Sequence, residues 1–318
     1  MGGWYLAMHR WWFNLAVVML WLATMSWLVK AKVLPLLLVG DPPTYSRIIE
    51  AQKHGSPVAW QLLLNRRPIG WALSDTQRQP SGLVEIHGRV HFSDLPLEEV
   101  MSAWAHTFPR LLAQPIGKLQ MDARSVLTID PLGRLVGFDS AVQLHPLDEV
   151  LRVRGTVEGQ HLQLTIGTGG ASFTSEAFLP SDALLSDALS PQSRLPGLRV
   201  GQKWTVPVYS PLWPAKNPLE IIHAKVENLE TLFWNGVMED CWLVVYRNES
   251  DNEANDNQEP RGRLWVRRDG TVLRQQVLLF NSLVTFDRLP DGAAEQLAKA
   301  AGPRWWSTQH DRRKKTHD

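Results

Sequence analysis

Cysteine is almost absent: the 318 residues hold one, Cys241. A single thiol excludes an intrachain disulfide, a cysteine-rich zinc site and an iron–sulfur cluster. It lies deep in the chain, so no cysteine stands where a lipoprotein is acylated. An excess of either charge is also lacking. Lys and Arg number 33 against 32 Asp and Glu, a net of +1, which leaves no global field to draw nucleic acid or a strongly acidic partner. What the chain does have is apolar and aromatic: 44% hydrophobic composition, enough for a sizeable core, and 15 Trp. Several of these cluster at the start (Trp4, Trp11, Trp12, Trp21, Trp27) and the end (Trp305, Trp306), and such rings favour membrane interfaces.

The 19 positions from Trp11 to Val29 carry no charge. As a helix they would reach about 28 Å, close to a bilayer's hydrocarbon thickness. A secretory signal is usually shorter and ends in a small-x-small cleavage site, whereas Lys30, Ala31 and Lys32 follow here, so residues 11–29 read as an uncleaved transmembrane helix. The flanking charges, His9 and Arg10 against Lys30 and Lys32, nearly cancel and do not orient it. Residues 1–10 form a short N-terminal segment and 30–57 a stalk or linker, with Asp41-Pro42-Pro43 stopping any continuing helix.

Residues 58–290 read as one β-rich domain. Val58 to Leu64 and Pro68 to Asp75 are strands around Asn65-Arg66-Arg67, with Gly70 at a bulge or close approach. From Val84 to Phe92 the even positions Val84, Ile86, Val90 and Phe92 are apolar, and the odd positions Glu85, His87, Arg89 and His91 are polar, which predicts a strand with one core face and one wet face. His87 and His91 lie about 13 Å apart along such a strand, too far to share a metal ion. Leu95 to Leu112 reads as a helix, capped by Asp94 and with Leu97, Val100, Met101, Trp104, Phe108, Leu111 and Leu112 at helical spacing.

Hairpins follow over Lys118 to Ile129, Arg134 to His145, Glu149 to Glu158 and His161 to Gly167. Gly167-Thr168-Gly169-Gly170 lacks the lysine of a phosphate loop and reads as a turn. Pro180 to Ala188 reads as a short helix. Strands resume at Gln202 to Tyr209, Leu219 to Phe233 and Val237 to Asn248, the last two meeting at Trp234-Asn235-Gly236. Both parities of Cys241 to Tyr246 are apolar, so that strand is expected to be buried on two faces, with Cys241 a core residue. Residues 249–260 form an acidic mobile loop without the spacing of a calcium-binding EF-hand. Gly262 to Arg268 and Thr271 to Leu279 turn at Asp269-Gly270, Leu283 to Leu289 closes the sheet, and residues 291–318 supply a short helix, Ala293 to Ala301, and a basic tail.

The succession Pro68-Ile69-Gly70-Trp71, Asp130-Pro131-Leu132-Gly133-Arg134-Leu135, Val153-Arg154-Gly155-Thr156-Val157-Glu158-Gly159, Pro196-Gly197-Leu198-Arg199-Val200-Gly201-Gln202-Lys203-Trp204 and Leu264-Trp265-Val266-Arg267-Arg268-Asp269-Gly270 resembles the β-rich accessory module of bacterial membrane-anchored transglutaminase-like proteins. That module in turn resembles DUF3108-type and lipoprotein-carrier-like half-barrels. The resemblance covers Ala59 to Leu289 and implies a mainly β fold, a curved antiparallel half-barrel with one internal helix across its concave side, standing outside the cytoplasm behind a single N-terminal transmembrane helix. The transglutaminase core itself is missing. Cys241-Trp242 continues as a strand, and the only later histidines are His310 and His317 in the basic tail.

The functional expectation is a non-enzymatic, single-pass module of the inner membrane, with most of the chain extracytoplasmic. It would capture a peptide, lipid or partner protein on a groove lined by Trp71, Trp104, Phe108, Trp204 and Trp213. The alternative is a carrier or chaperone for acylated cargo, which requires an apolar cavity under the Leu95 to Leu112 helix. A hydrolase using Glu85, Asp139 or Asp148 is a third reading that no spacing supports. The residues point to no catalytic constellation, cofactor, metal or nucleic-acid partner.

Overall fold

The computed structural model describes residues 3–30, 43–52, 56–95, 119–145, 149–168, 171–179, 184–187, 190–209, 219–248, 260–279, 282–302 and 305. The chain divides into two units, Met1–Asp41 and Pro42–Asp318.

The first unit holds α1 (Gly3–Leu28). Trp12, Val17, Leu20, Trp21, Met25 and Trp27 all leave their apolar surface exposed. Among the described residues no helix is long and apolar enough to cross a membrane. The expected span over residues 11–29 is corrected to that extent: a helix is present, it begins at Gly3, and its described side chains leave bare apolar surface.

The second unit is one antiparallel sheet of fifteen strands, curved and open. Its strands are β1 (Val58–Leu64), β2 (Arg67–Arg78), β3 (Val84–Leu95), β4 (Leu119–Ile129), β5 (Leu135–His145), β6 (Glu149–Glu158), β7 (His161–Thr168), β8 (Ala171–Phe178), β9 (Ser186–Asp187), β10 (Lys203–Tyr209), β11 (Leu219–Trp234), β12 (Val237–Asn248), β13 (Gly262–Arg267), β14 (Val272–Leu279) and β15 (Ser282–Arg288). The spatial order is β8-β7-β6-β5-β4-β3-β2-β1-β15-β14-β13-β12-β11-β10-β9, and only β9 against β10 is parallel. Two meanders are therefore joined side by side through β1 and β15, with Trp60 opposite Arg288 and Leu64 opposite Val284. The last strand lies in the middle of the sheet, because both of its edges find partners, β1 and β14.

Local chemistry explains the hairpins. Asn65 and Arg66 both adopt positive φ between β1 and β2, and Asn235-Gly236 does the same between β11 and β12, the backbone that two-residue hairpins require. At Gly70 the pairing of β1 with β2 slips past Ile69, and a methyl at Gly70 would collide with the carbonyl oxygen of His91 on β3. A glycine is what allows β3 to lie that close.

One face of the sheet carries the main core, including Trp60, Phe92, Met121, Phe138, Leu164, Val226, Val244 and Phe286. This inner face is covered by α2 (Tyr45–Ala51), whose Tyr45, Ile48 and Ile49 are buried in it. Part of the expected stalk is thus a structural element, because three apolar side chains at i, i+3 and i+4 give the short helix a stripe to bury. A strap from Ser190 to Leu198 also crosses the inner face. It is tied to β4 by Ser190 Oγ and Ser125 Oγ at 3.0 Å, and to the other meander by the Leu195 N–H donating to Gly270 O at 2.8 Å.

Within the expected Pro180 to Ala188 helix, Leu184 and Leu185 are irregular backbone and Ser186 and Asp187 form strand β9, pairing with Val208 and Tyr209; residues 180–183 and 188 lie outside the described residues. Asp94 and Leu95 belong to β3 rather than to a helix start, because Leu95 resumes the ladder opposite Leu119 after a bulge. The rest of the expected Leu95 to Leu112 helix and the acidic loop 249–259 lie outside the described residues. On the outer face, α3 (Asp291–Ala301) and Trp305 pack over Ala59 and Leu73. Trp305, expected in a solvated or membrane-touching tail, is buried.

Candidate functional site

Two places on the sheet gather chemistry. The first is a cavity of about 90 Å³ on the inner face, between α2, the strap and strands β2 to β4. Gly88 makes room for it: a methyl there would stand 2.7 Å from Ser125 Oγ and 2.9 Å from Ser190 Oγ. Ser74, Ser125, Ser190, Gln52 and Gln192 give the cavity polar walls. Among the described residues its titratable side chains are Tyr45 and Arg194. Burial pushes the Tyr45 hydroxyl far up, and that hydroxyl donates to Leu185 O at 2.8 Å.

The second place is the outer face of β2, β3 and β4. The alternation of β3 sets Arg89 and His91 on that face, with Trp71 opposite His91 on β2 and Asp122 opposite it on β4. Arg89 donates to Asp122 Oδ2 from Nη2 at 2.6 Å and from Nε at 3.0 Å. Arg124 Nε donates to Oδ1 at 2.9 Å, and His91 Nδ1 stands 3.5 Å from Oδ2. The Trp71 ring lies 5.4 Å from the His91 ring and 5.3 Å from the Arg89 guanidinium, close enough for a cation–π contact. Arg89 Nη1 also donates to Trp305 O at 3.4 Å, which ties the cluster to the C-terminal segment. Burial alone would raise the Asp122 carboxyl. The nearby His91 imidazole, the Arg89 hydrogen bonds and the charges of Arg89 and Arg124 outweigh it and hold the group down at about 2.

The same face is drier than the alternation suggested at His87, which is only 4% exposed. It sits between Asp75 on β2 and Val126 on β4, with Glu85 Oε2 3.1 Å from its Nε2. Burial lowers its affinity for a proton more than Glu85 and Asp75 raise it.

The residues named from sequence are not brought together. Trp71 lies on the outer face in the cluster just described, whereas Trp204 is buried in the inner core on β10. Trp104, Phe108 and Trp213 lie outside the described residues. Of the carboxylates, Glu85 is bonded by Gln79 and His87, Asp139 is held by Arg152 and Arg154, and Asp148 lies outside the described residues. Glu85 and Asp139 stand two strands apart and out of register, a separation of about 12 Å. Among the described residues no three His, Cys, Asp or Glu are grouped to hold a metal ion. Cys241 is fully buried on β12, and burial pushes its thiol up to about 11, helped by Glu239. Sequence reading missed the partners within the outer cluster. The Asp122-Ala123-Arg124 alternation opposite a Glu-x-His-x-Arg-x-His strand was the signal available, since opposite charges at facing positions stabilise neighbouring strands.

No family model matches the chain, and no curated protein matches it. The resemblance to transglutaminase accessory modules and DUF3108-type proteins gains nothing from these comparisons. Among solved structures, the chain is similar to a β-barrel-like protein of a domain of unknown function, DUF1849, from Brucella abortus, at 8% identity and a TM-score of 0.44, covering 73% of this chain and 94% of that one. It is also similar to a DUF1089 family protein from Pseudomonas aeruginosa, at 14% identity and a TM-score of 0.32, covering 64% and 87%.

Proposed function

We propose that this chain is a membrane-attached binding module of the cell envelope rather than an enzyme, and that it engages a partner protein on the outer face of β2 to β4. The observation that carries this reading is the contrast between the two faces. Among the described residues the inner face carries the main core, and the cavity it holds beside α2 and the strap is about 90 Å³, below the roughly 300–1,000 Å³ of small-molecule pockets. The outer face presents Trp71, Arg89 and His91, partly exposed and held on rigid strands, the residue types that dominate protein interfaces. Attachment to a membrane through α1 is supported by the exposed apolar side chains of that helix; the inner-membrane, extracytoplasmic placement is the part of the proposal that protease accessibility tests. The carrier reading needs an apolar cavity under the expected Leu95 to Leu112 helix, and residues 96–112 lie outside the described residues.

The test has two arms. Protease is added to outer-membrane-permeabilised cells expressing the full chain with a tag after Asp318; degradation without lysis is expected, and protection until the inner membrane is broken overturns the placement. In the same cells a photo-crosslinker replaces Gln143, which lies opposite Asp122 on β5. A protein adduct lost on Trp71→Ala is expected. Adducts with lipid alone, or none, overturn the partner reading.

A further inference from the structure

We propose that β8 is a dimerisation edge, at which two copies of this chain pair antiparallel about a two-fold axis through Ser175. Among the described residues the sheet ends in two unlike edges. At one end stands β9, only two residues long, a length that offers little to an incoming strand. At the other stands β8, eight residues long and paired to β7 from His161↔Phe178 to Thr168↔Ala171 without a register shift. Natural edges are blunted by lysine, proline or a bulge. The β8 sequence Ala-Ser-Phe-Thr-Ser-Glu-Ala-Phe has none of these and a single charge, Glu176. It also leaves two large apolar rings bare, Phe173 at 63% and Phe178 at 62% exposure.

A second copy fits this edge by register. Residues opposite each other in an antiparallel pair must point to the same face, so a symmetric pairing is centred on a residue. Centred on Ser175, Phe173 of one copy meets Ala177 of the other, Phe178 meets Ser172, and Glu176 meets Thr174. Each ring then lies beside a small side chain, and the one charge avoids its own image. Phe173, already beside Ile166 on the core-bearing face, would continue the inner apolar surface across the junction.

The full chain in mild detergent is expected to sediment at twice its 36.0 kDa mass, and F173K/A177K, which sets lysine against lysine across the junction, at the single mass. In the wild-type background the two Ser175 Cα atoms would lie about 4.5–5.5 Å apart, inside disulfide range. S175C should therefore form a covalent dimer under copper–phenanthroline oxidation, whereas Q163C, exposed on β7, should not. The native Cys241 is buried and leaves the background clean. A single-mass chain whose S175C stays uncrosslinked overturns the proposal and leaves the edge to a strand of another protein. A dimer that survives F173K/A177K without S175C crosslinking overturns it by placing the contact elsewhere.

Discussion

Arg89 clamps Asp122 with two nitrogens on one carboxylate oxygen, Nη2 at 2.6 Å and Nε at 3.0 Å, on a face where the two side chains are only 17% and 9% exposed. The pair is joined by Arg124 on the other oxygen, so the carboxylate balances two guanidinium groups. D122N keeps the shape and removes the charge. It is expected to destabilise the chain by about 3 kcal/mol, because half-buried cations lose their counter-charge. Urea denaturation at pH 7 measures it. An unchanged midpoint would show that the cluster is solvated.

The same carboxylate sets an acid limit. Its folded value of about 2 lies below the 3.8 of the unfolded chain, so its stabilisation is complete above pH 3.8 and is lost as pH falls toward 2. Wild type should lose about 2 kcal/mol more than D122N over that window.

His87 works at milder pH. Burial lowers its folded pKa below the ordinary 6.5, so the folded chain binds fewer protons than the unfolded one once the pH drops below that value. Stability from this group is full above pH 6.5 and declines below it. Denaturation midpoints of wild type should fall between pH 7 and pH 5, and H87Q should flatten that slope.

Cys241 is fully buried with its thiol raised to about 11. A maleimide reagent at pH 7.5 should leave the native chain unlabelled and modify one site after unfolding. Rapid native labelling would contradict the burial of β12.

Trp305 fills the outer-face cluster with Ala59, Leu73 and Ala294. W305A should cost about 3–5 kcal/mol, the usual range for emptying a buried indole site. Thermal melting detects it, and a loss below 1 kcal/mol would mean that the ring does not pack.

Much of this architecture is legible in the residues, and the failures have physical causes. The alternation of Val84 to Phe92, the hairpin signals Asn65-Arg66 and Asn235-Gly236, and the doubly apolar run at Cys241 to Tyr246 each depend on neighbours a few positions away, and they match the structure except at His87, which is buried on the face expected to be wet. Long-range pairing left no such trace. Nothing in Trp60 or Phe286 says that β1 and β15 are neighbours.

Parity also fails to name the core face when both faces carry apolar residues. On β2, Ala72 points to the main core while Trp71 and Leu73 join the outer cluster, so a groove lined jointly by Trp71 and Trp204 was a natural expectation and the two rings lie on opposite sides. Tyr45, Ile48 and Ile49 form a stripe too short to be read against a proline-bounded stretch, and only the core they enter identifies them as a helix. Trp305, beyond the last regular element, was read by its tail composition because its three partners come from β1, β2 and α3.

The join between β1 and β15 also has a consequence for how the chain is made. About 220 residues separate the two strands, so at ribosomal rates β1 stays without one neighbour for on the order of 10–45 s. During that interval Trp60 and Leu62, both completely buried in the finished sheet, line a raw edge. A newborn chain in this state is a target for holding chaperones, and a message truncated before Ser282 would release a product with that edge still open.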